Sequence, residues 1–150
     1  MKLVLQRVTQ ASVAIDNEIV GEIRHGFVVL IGVGQGDEVL TADRMVEKML
    51  QLRVFADDQG KMNRSLVDIG GSLLLISQFT LYADCRKGRR PAFTDAASPA
   101  EAKSLYEYFV KRCREASVNV QCGVFAADMQ VSLVNDGPVT IVLDSKELAF

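Results

Sequence analysis

The sequence predicts an α+β fold: mixed, mainly antiparallel β-sheets with helices packed on one side. Three observations lead there. Roughly six or seven segments rich in β-branched or alternating apolar residues are joined by short turns. Two stretches carry the apolar stripe of an amphipathic helix. The 150 residues, 49% hydrophobic and 24% charged, suffice for one core and leave little room for a second. Residues 1–150 are therefore read as a single domain.

Residues 2–15 mix β-branched with polar side chains and read as a strand, with a turn at Asp16-Asn17. Residues 18–34 read as strand again, around the apolar run Phe27-Val28-Val29-Leu30-Ile31. Ala42, Met45, Val46, Met49 and Leu50 then fall on one helical stripe, with Thr41 as the expected N-cap. Residues 57–71 have loop composition. Leu73-Leu74-Leu75-Ile76 reads as a buried strand running straight into Ser77-Gln78-Phe79-Thr80-Leu81. A second loop, residues 83–97, holds the only dense basic cluster, Arg86, Lys87, Arg89 and Arg90, where an anionic ligand would sit. Ser98, Pro99 and Glu101 supply an N-cap, an N1 proline and a capping-box glutamate for a second helix. Its stripe is Ala102, Leu105, Tyr106, Phe109, Val110 and Cys113. Alternation at Val118, Val120 and Cys122, and again at Met129, Val131 and Leu133, predicts two further strands. Asn135-Asp136-Gly137-Pro138 interrupts the pattern, and residues 139–143 resume it as a final strand.

Seventeen Lys and Arg against nineteen Asp and Glu leave a net charge of −2, which argues against coating nucleic acid by bulk electrostatics. DNA is not an expected partner, and any RNA contact is local. Three cysteines without a C-x-x-C pair match neither a disulfide scaffold nor a structural zinc site, and a reducing cytoplasm fits them best. No metal motif or cofactor fingerprint occurs, so no cofactor is expected. Arg7 and Gln10 break up the N-terminus before a signal core forms, and no apolar run is long enough to span a membrane.

Several motifs have plain readings. Gly32-Val33-Gly34-Gln35-Gly36 lacks phosphate-loop spacing and reads as a strand-end turn. His25, the only histidine, precedes a glycine in a turn and reads as a surface residue. Cys85 beside Arg86 and Lys87 is a candidate reactive thiol without a neighbouring base, whereas Cys113 belongs to the core. Ser77, Gln78 and Thr80 at a strand end either wall a pocket or only cap the strand. Two chemistries follow from the residues alone: a small-ester or amide hydrolase using Thr80 or Cys85, or a non-catalytic RNA-binding module using the basic loop.

Ser77-Gln78-Phe79-Thr80-Leu81 and Asn135-Asp136-Gly137-Pro138-Val139-Thr140, in that order, resemble the two signature motifs of the bacterial and eukaryotic type of D-aminoacyl-tRNA deacylase, formerly D-tyrosyl-tRNA deacylase. The likeness runs along the whole chain, including the MKLVLQRV start and Lys87-Gly88-Arg89-Arg90-Pro91. It implies hydrolysis of the ester between a D-amino acid and the terminal adenosine of tRNA, with Ser77, Gln78, Phe79 and Thr80 as the catalytic segment. Backbone N–H groups of Gln78 and Phe79 would hold the developing oxyanion. Water assisted by the adenosine 2′-OH would attack, because no histidine or lysine flanks Thr80. The resemblance further implies a homodimer in which Gly137 and Pro138 of one subunit enter the other's pocket. Their bond would be cis, turning two carbonyls one way as a wall against L side chains. A filter that reads only chirality would also pass glycyl-tRNA. Arg86, Lys87, Arg89 and Arg90 would meet tRNA phosphates, and Arg7 would support the site from inside.

Overall fold

In the computed structural model, which describes residues 1–150, alternating side chains form the central strand β1 (Lys2–Ile15). Asp16 and Asn17, both at positive φ, turn it into β2 (Glu18–Ile23), and the chain continues as β3 (Gly26–Gly32). Along one edge, β1 pairs antiparallel with β3 through its first half and with β2 through its second. A helix, α1 (Val39–Gln51), leads to a small hairpin of β4 (Phe55–Ala56) and β5 (Met62–Arg64). Strand β6 (Ser72–Ser77) then lies parallel to β3, with Ser77 opposite Ile31. Helix α2 (Pro99–Glu115) crosses over to β7 (Asn119–Cys122), parallel to β6. The last strand, β8 (Gln130–Asp144), runs antiparallel along the other edge of β1. The result is the expected α+β arrangement, antiparallel in most of its pairings.

The two apolar runs are buried on both faces, which explains why neither alternates. Phe27, Val29, Ile31, Leu73 and Leu75 face the helices, against Met45, Met49, Leu105 and Phe109. Val28, Leu74 and Ile76 point the other way and join Val8, Ala11, Val13 and Ile23 in a second, smaller core. Both helices therefore lie on one side, as the stripes require. Arg112 Nε donates to Asp43 Oδ1 at 2.7 Å and Tyr108 Oη donates at 2.9 Å, tying α2 to α1. Those two donors hold the Asp43 carboxyl below the usual carboxylate range.

Three local expectations change. Helix α1 is capped by Glu38 rather than Thr41; Thr41 is its third residue, and its Oγ1 accepts from the Glu38 N–H at 3.3 Å. The apolar stripe marks only the buried interior of the helix, and the exposed Val39 and Leu40 extend it N-terminally. The presumed loop of residues 57–71 contains β5, whose three residues are all exposed and so leave no alternation to read. The two strands expected around Asn135–Pro138 are one. β1 is long enough to template all of β8, and the interruption is accommodated as a bulge, because Gln6 pairs with Thr140 and Val8 with Asn135. Arg7 alone faces residues 136–139. No helix is long and apolar enough to cross a membrane.

Candidate active site

The end of β6 builds one wall of a cavity. Past Ser77 the chain leaves the sheet, held by the Gln78 N–H, which donates to the Ile31 carbonyl at 2.7 Å. A 3₁₀ turn, Phe79–Tyr82, follows at once, closed by Leu81 N–H to Gln78 O at 3.3 Å and Ala83 N–H to Thr80 O at 3.0 Å. The Gln78 N–H is thus already engaged and does not match its expected part as an oxyanion donor. Phe79 and Thr80, as the first two residues of the turn, have N–H groups without an acceptor inside it. The Gln78 side-chain amide donates to Thr80 Oγ1. An amide accepts no proton from that hydroxyl, so nothing here activates Thr80 as a nucleophile.

The cavity beside this wall measures about 530 Å³ and is mostly apolar, with Phe93, Phe125, Met129 and Tyr106 opposite Ser77 to Phe79. Phe79 is exposed and meets Phe93 edge-on, with ring centroids 5.0 Å apart. Tyr106 sends its hydroxyl to the Leu75 carbonyl at 2.9 Å, which leaves its ring face for the cavity. Sequence reasoning missed all three as site residues: Phe93 and Phe125 stand on segments without regular period, Met129 was read only as part of an alternating strand, and they meet only around the end of the sheet. Cys85 is exposed and does not line the cavity. Cys113 is core, and burial pushes its thiol up to about 12. His25 is exposed; its carbonyl accepts from the Ser72 N–H at 2.9 Å.

Gly137 and Pro138 do not reach this cavity within one chain. They protrude, exposed, from the β8 bulge opposite Arg7, and their shared peptide bond is cis. Counting three strand spacings and four residues of register, the bulge lies about 14 Å across and about 13 Å along the sheet from Ser77. Arg7 anchors the bulge from beneath. Its Nη1 donates to the Val54 carbonyl at 2.6 Å, its Nε to the Asp136 carbonyl at 3.0 Å, and the Asp136 carboxylate stands 3.5 Å away. Asn135 Oδ1 closes the other end, accepting from the Val139 N–H at 2.8 Å.

The basic cluster crowns a loop pinned where Asp84 and Ala92 exchange backbone hydrogen bonds. Arg86 is spent locally: its Nη2 sits 2.7 Å from Asp84 Oδ2, and the guanidinium pulls that carboxyl down to about 2. Lys87, Arg89 and Arg90 are exposed and form no ion pair in the chain.

A family model described as D-Tyr-tRNA(Tyr) deacylase matches residues 4–144. The D-aminoacyl-tRNA deacylase of Rhodopirellula baltica is 58% identical over 144 residues, covering 96% of this chain and 99% of its own. Among solved structures, one titled c-Myc DNA Unwinding Element Binding Protein superposes with a TM-score of 0.91 at 40% identity, covering 96% of this chain and 98% of that one. Another, titled as a probable eukaryotic D-amino acid tRNA deacylase, shares the fold with a TM-score of 0.81 at 17% identity over 95% of this chain and 97% of its own. With a family model spanning nearly all its strands and a relative matched from end to end, this chain belongs to the D-Tyr-tRNA(Tyr) deacylase family.

Proposed function

We propose that this chain hydrolyses the ester between a D-amino acid and the 3′-terminal adenosine of tRNA. The observation that carries the reading is an apolar cavity walled by Ser77, Gln78 and Phe79, in a chain 58% identical to a D-aminoacyl-tRNA deacylase. Water adds to the ester carbonyl carbon, and the negative charge that builds on the carbonyl oxygen is met by the N–H groups of Phe79 and Thr80. The bond to the ribose oxygen then breaks. The proton released by the water goes to that oxygen, with the neighbouring 2′-OH relaying it. Each donor aimed at such an oxyanion is worth about 3–4 kcal/mol. Thr80 orients groups and forms no covalent intermediate, and no cofactor is needed.

The active site is completed by a second copy of the chain. The separation of Gly137 from Ser77 within one sheet supports this, as does the outer edge of β8, which pairs with nothing and leaves Val134 and Val142 exposed. Seated in the partner's cavity, the Gly137–Pro138 backbone walls off the side of the α-carbon that an L side chain would occupy. A D side chain points away, and glycine has none to collide, so glycyl-tRNA is also cleaved. Lys87, Arg89 and Arg90 contact tRNA phosphates; Arg86, committed to Asp84, adds less.

The test is hydrolysis of matched D- and L-tyrosyl-tRNA with EDTA present. Selective loss of the D-ester is expected, and equal cleavage of both esters, or of neither, overturns the reading. In the same assay Thr80→Ala is expected to lower kcat about tenfold, the equivalent of about 1.4 kcal/mol. Complete loss of hydrolysis with tRNA binding intact would restore Thr80 as nucleophile. Reversing Lys87, Arg89 and Arg90 to glutamate is expected to flatten the log K against log salt plot for tRNA by about 2. An unchanged slope removes the loop from the tRNA interface.

A further inference from the structure

Two of the three glycines at the end of β3 and just beyond it are not spent on unusual backbone angles. Of Gly32, Gly34 and Gly36, only Gly36 has positive φ, at 80°. Space is what Gly32 and Gly34 provide. A Cβ on Gly34 would lie 2.5 Å from both Cζ and Oη of Tyr82 and 2.8 Å from Cε1. A Cβ on Gly32 would lie 3.0 Å from Leu81 Cβ, 3.2 Å from the Gln78 carbonyl and 3.3 Å from Tyr82 Cδ2. The two glycines thus leave a notch, and the residues that fill it belong to the 3₁₀ turn carrying Phe79 and Thr80.

Tyr82 closes that turn and is only 6% exposed. Lys2 Nζ lies over the ring, 5.0 Å from its centroid. The hydroxyl, although buried, bonds to nothing in the chain. The ring is what the notch fits, because the atoms of Tyr82 nearest a Cβ on Gly34 or Gly32 include its Cζ, Cε1 and Cδ2. One end of the turn is tied to β3 by the Gln78–Ile31 hydrogen bond; without a second support it could pivot about that tie.

We propose that Tyr82 is a positioning residue of the active site, its ring seated in the Gly32–Gly34 notch so that the turn aims the Phe79 and Thr80 N–H groups into the cavity. This rests on the functional reading above. Gly34→Ala displaces the ring, and a shift of about 1 Å in catalytic donors is enough to cost about 10²-fold in kcat. KM moves far less, because the apolar wall opposite the turn, Phe93, Phe125, Met129 and Tyr106, stays in place.

The test is a double-mutant cycle on D-tyrosyl-tRNA, read as kcat and KM at a temperature where every variant stays folded, with amide exchange at Leu81 and Ala83 measured alongside. Tyr82→Phe keeps wild-type kcat, since it retains the ring and removes only an unpaired hydroxyl. Gly34→Ala loses about 10²-fold in kcat. Tyr82→Leu loses about tenfold, and adding Gly34→Ala to it costs less than about threefold more, because the clash is gone. Exchange protection at Leu81 and Ala83 falls in Gly34→Ala while Leu74 in β6 stays protected. Equal losses of kcat from Gly34→Ala with and without the tyrosine ring overturn the proposal, as does a fall in melting temperature with kcat and protection unchanged. Should the wild type cleave no D-ester, the functional reading fails, and the exchange pattern still decides whether the ring holds the turn.

Discussion

Gly137→Ala is expected to lower D-aminoacyl ester hydrolysis by about 10²-fold or more, as a misplaced catalytic group does. Gly137 has φ +132°, a region that L side chains rarely adopt. An added Cβ would come within 2.8 Å of Val139 Cγ2, 3.1 Å of the Val139 nitrogen and 3.2 Å of Arg7 Nη2. The bulge has little freedom to yield, because Arg7 holds it from below and Asn135 from the side. Holding an L residue there costs about 1–3 kcal/mol. With its base held, the segment can relieve that strain only at the exposed Gly137–Pro138 tip, which moves out of place. The β8 ladder beyond the bulge stays paired with β1, so the protein remains folded. Single-turnover hydrolysis of D-tyrosyl-tRNA, checked against the thermal melt, measures the effect. Activity within about threefold of wild type would mean the Gly137–Pro138 backbone does not approach the substrate.

Subunit mixing is the second large effect. Chains carrying Gly137→Ala and chains carrying Gln78→Ala with Phe79→Ala are each expected to be nearly inactive alone. Mixed in equal amounts under conditions that exchange subunits, they form heterodimers as about half of all dimers, each with one site free of substitutions. About one quarter of wild-type activity therefore returns. The geometry behind this expectation is the distance of the bulge from Ser77, about 14 Å across and about 13 Å along one sheet, which leaves Gly137 and Pro138 outside their own chain's cavity. If sedimentation shows heterodimers while activity remains the sum of the two parents, the site is complete within one chain and the shared pocket is wrong.

Much of the fold was legible because it is local. The stripes of α1 and α2, the capping box at Ser98 and the unbroken apolar runs of β3 and β6 each record a short-range physical demand. The polar segment Ser77–Thr80 announced itself by following a buried strand, and Gly137-Pro138 by interrupting an alternation. Chemistry was less readable than position. That the Gln78 N–H serves the Ile31 carbonyl depends on the register of β3 against β6, a pairing across more than forty residues that no local period encodes.

What the sequence determined by itself, then, is the two helices and the buried strands, the burial of their apolar faces and the family motifs, since these follow from side-chain spacing. Tertiary structure alone decided that β8 is one strand, because β1 supplies a template long enough to bridge the bulge. It decided that Phe93, Phe125 and Met129 share a cavity with Phe79, because distant segments meet only where the sheet ends. It also decided why Gly34 is a glycine: a Cβ there would collide with the Tyr82 ring, one on Gly32 would crowd the same turn, and that packing exists only once the chain has folded.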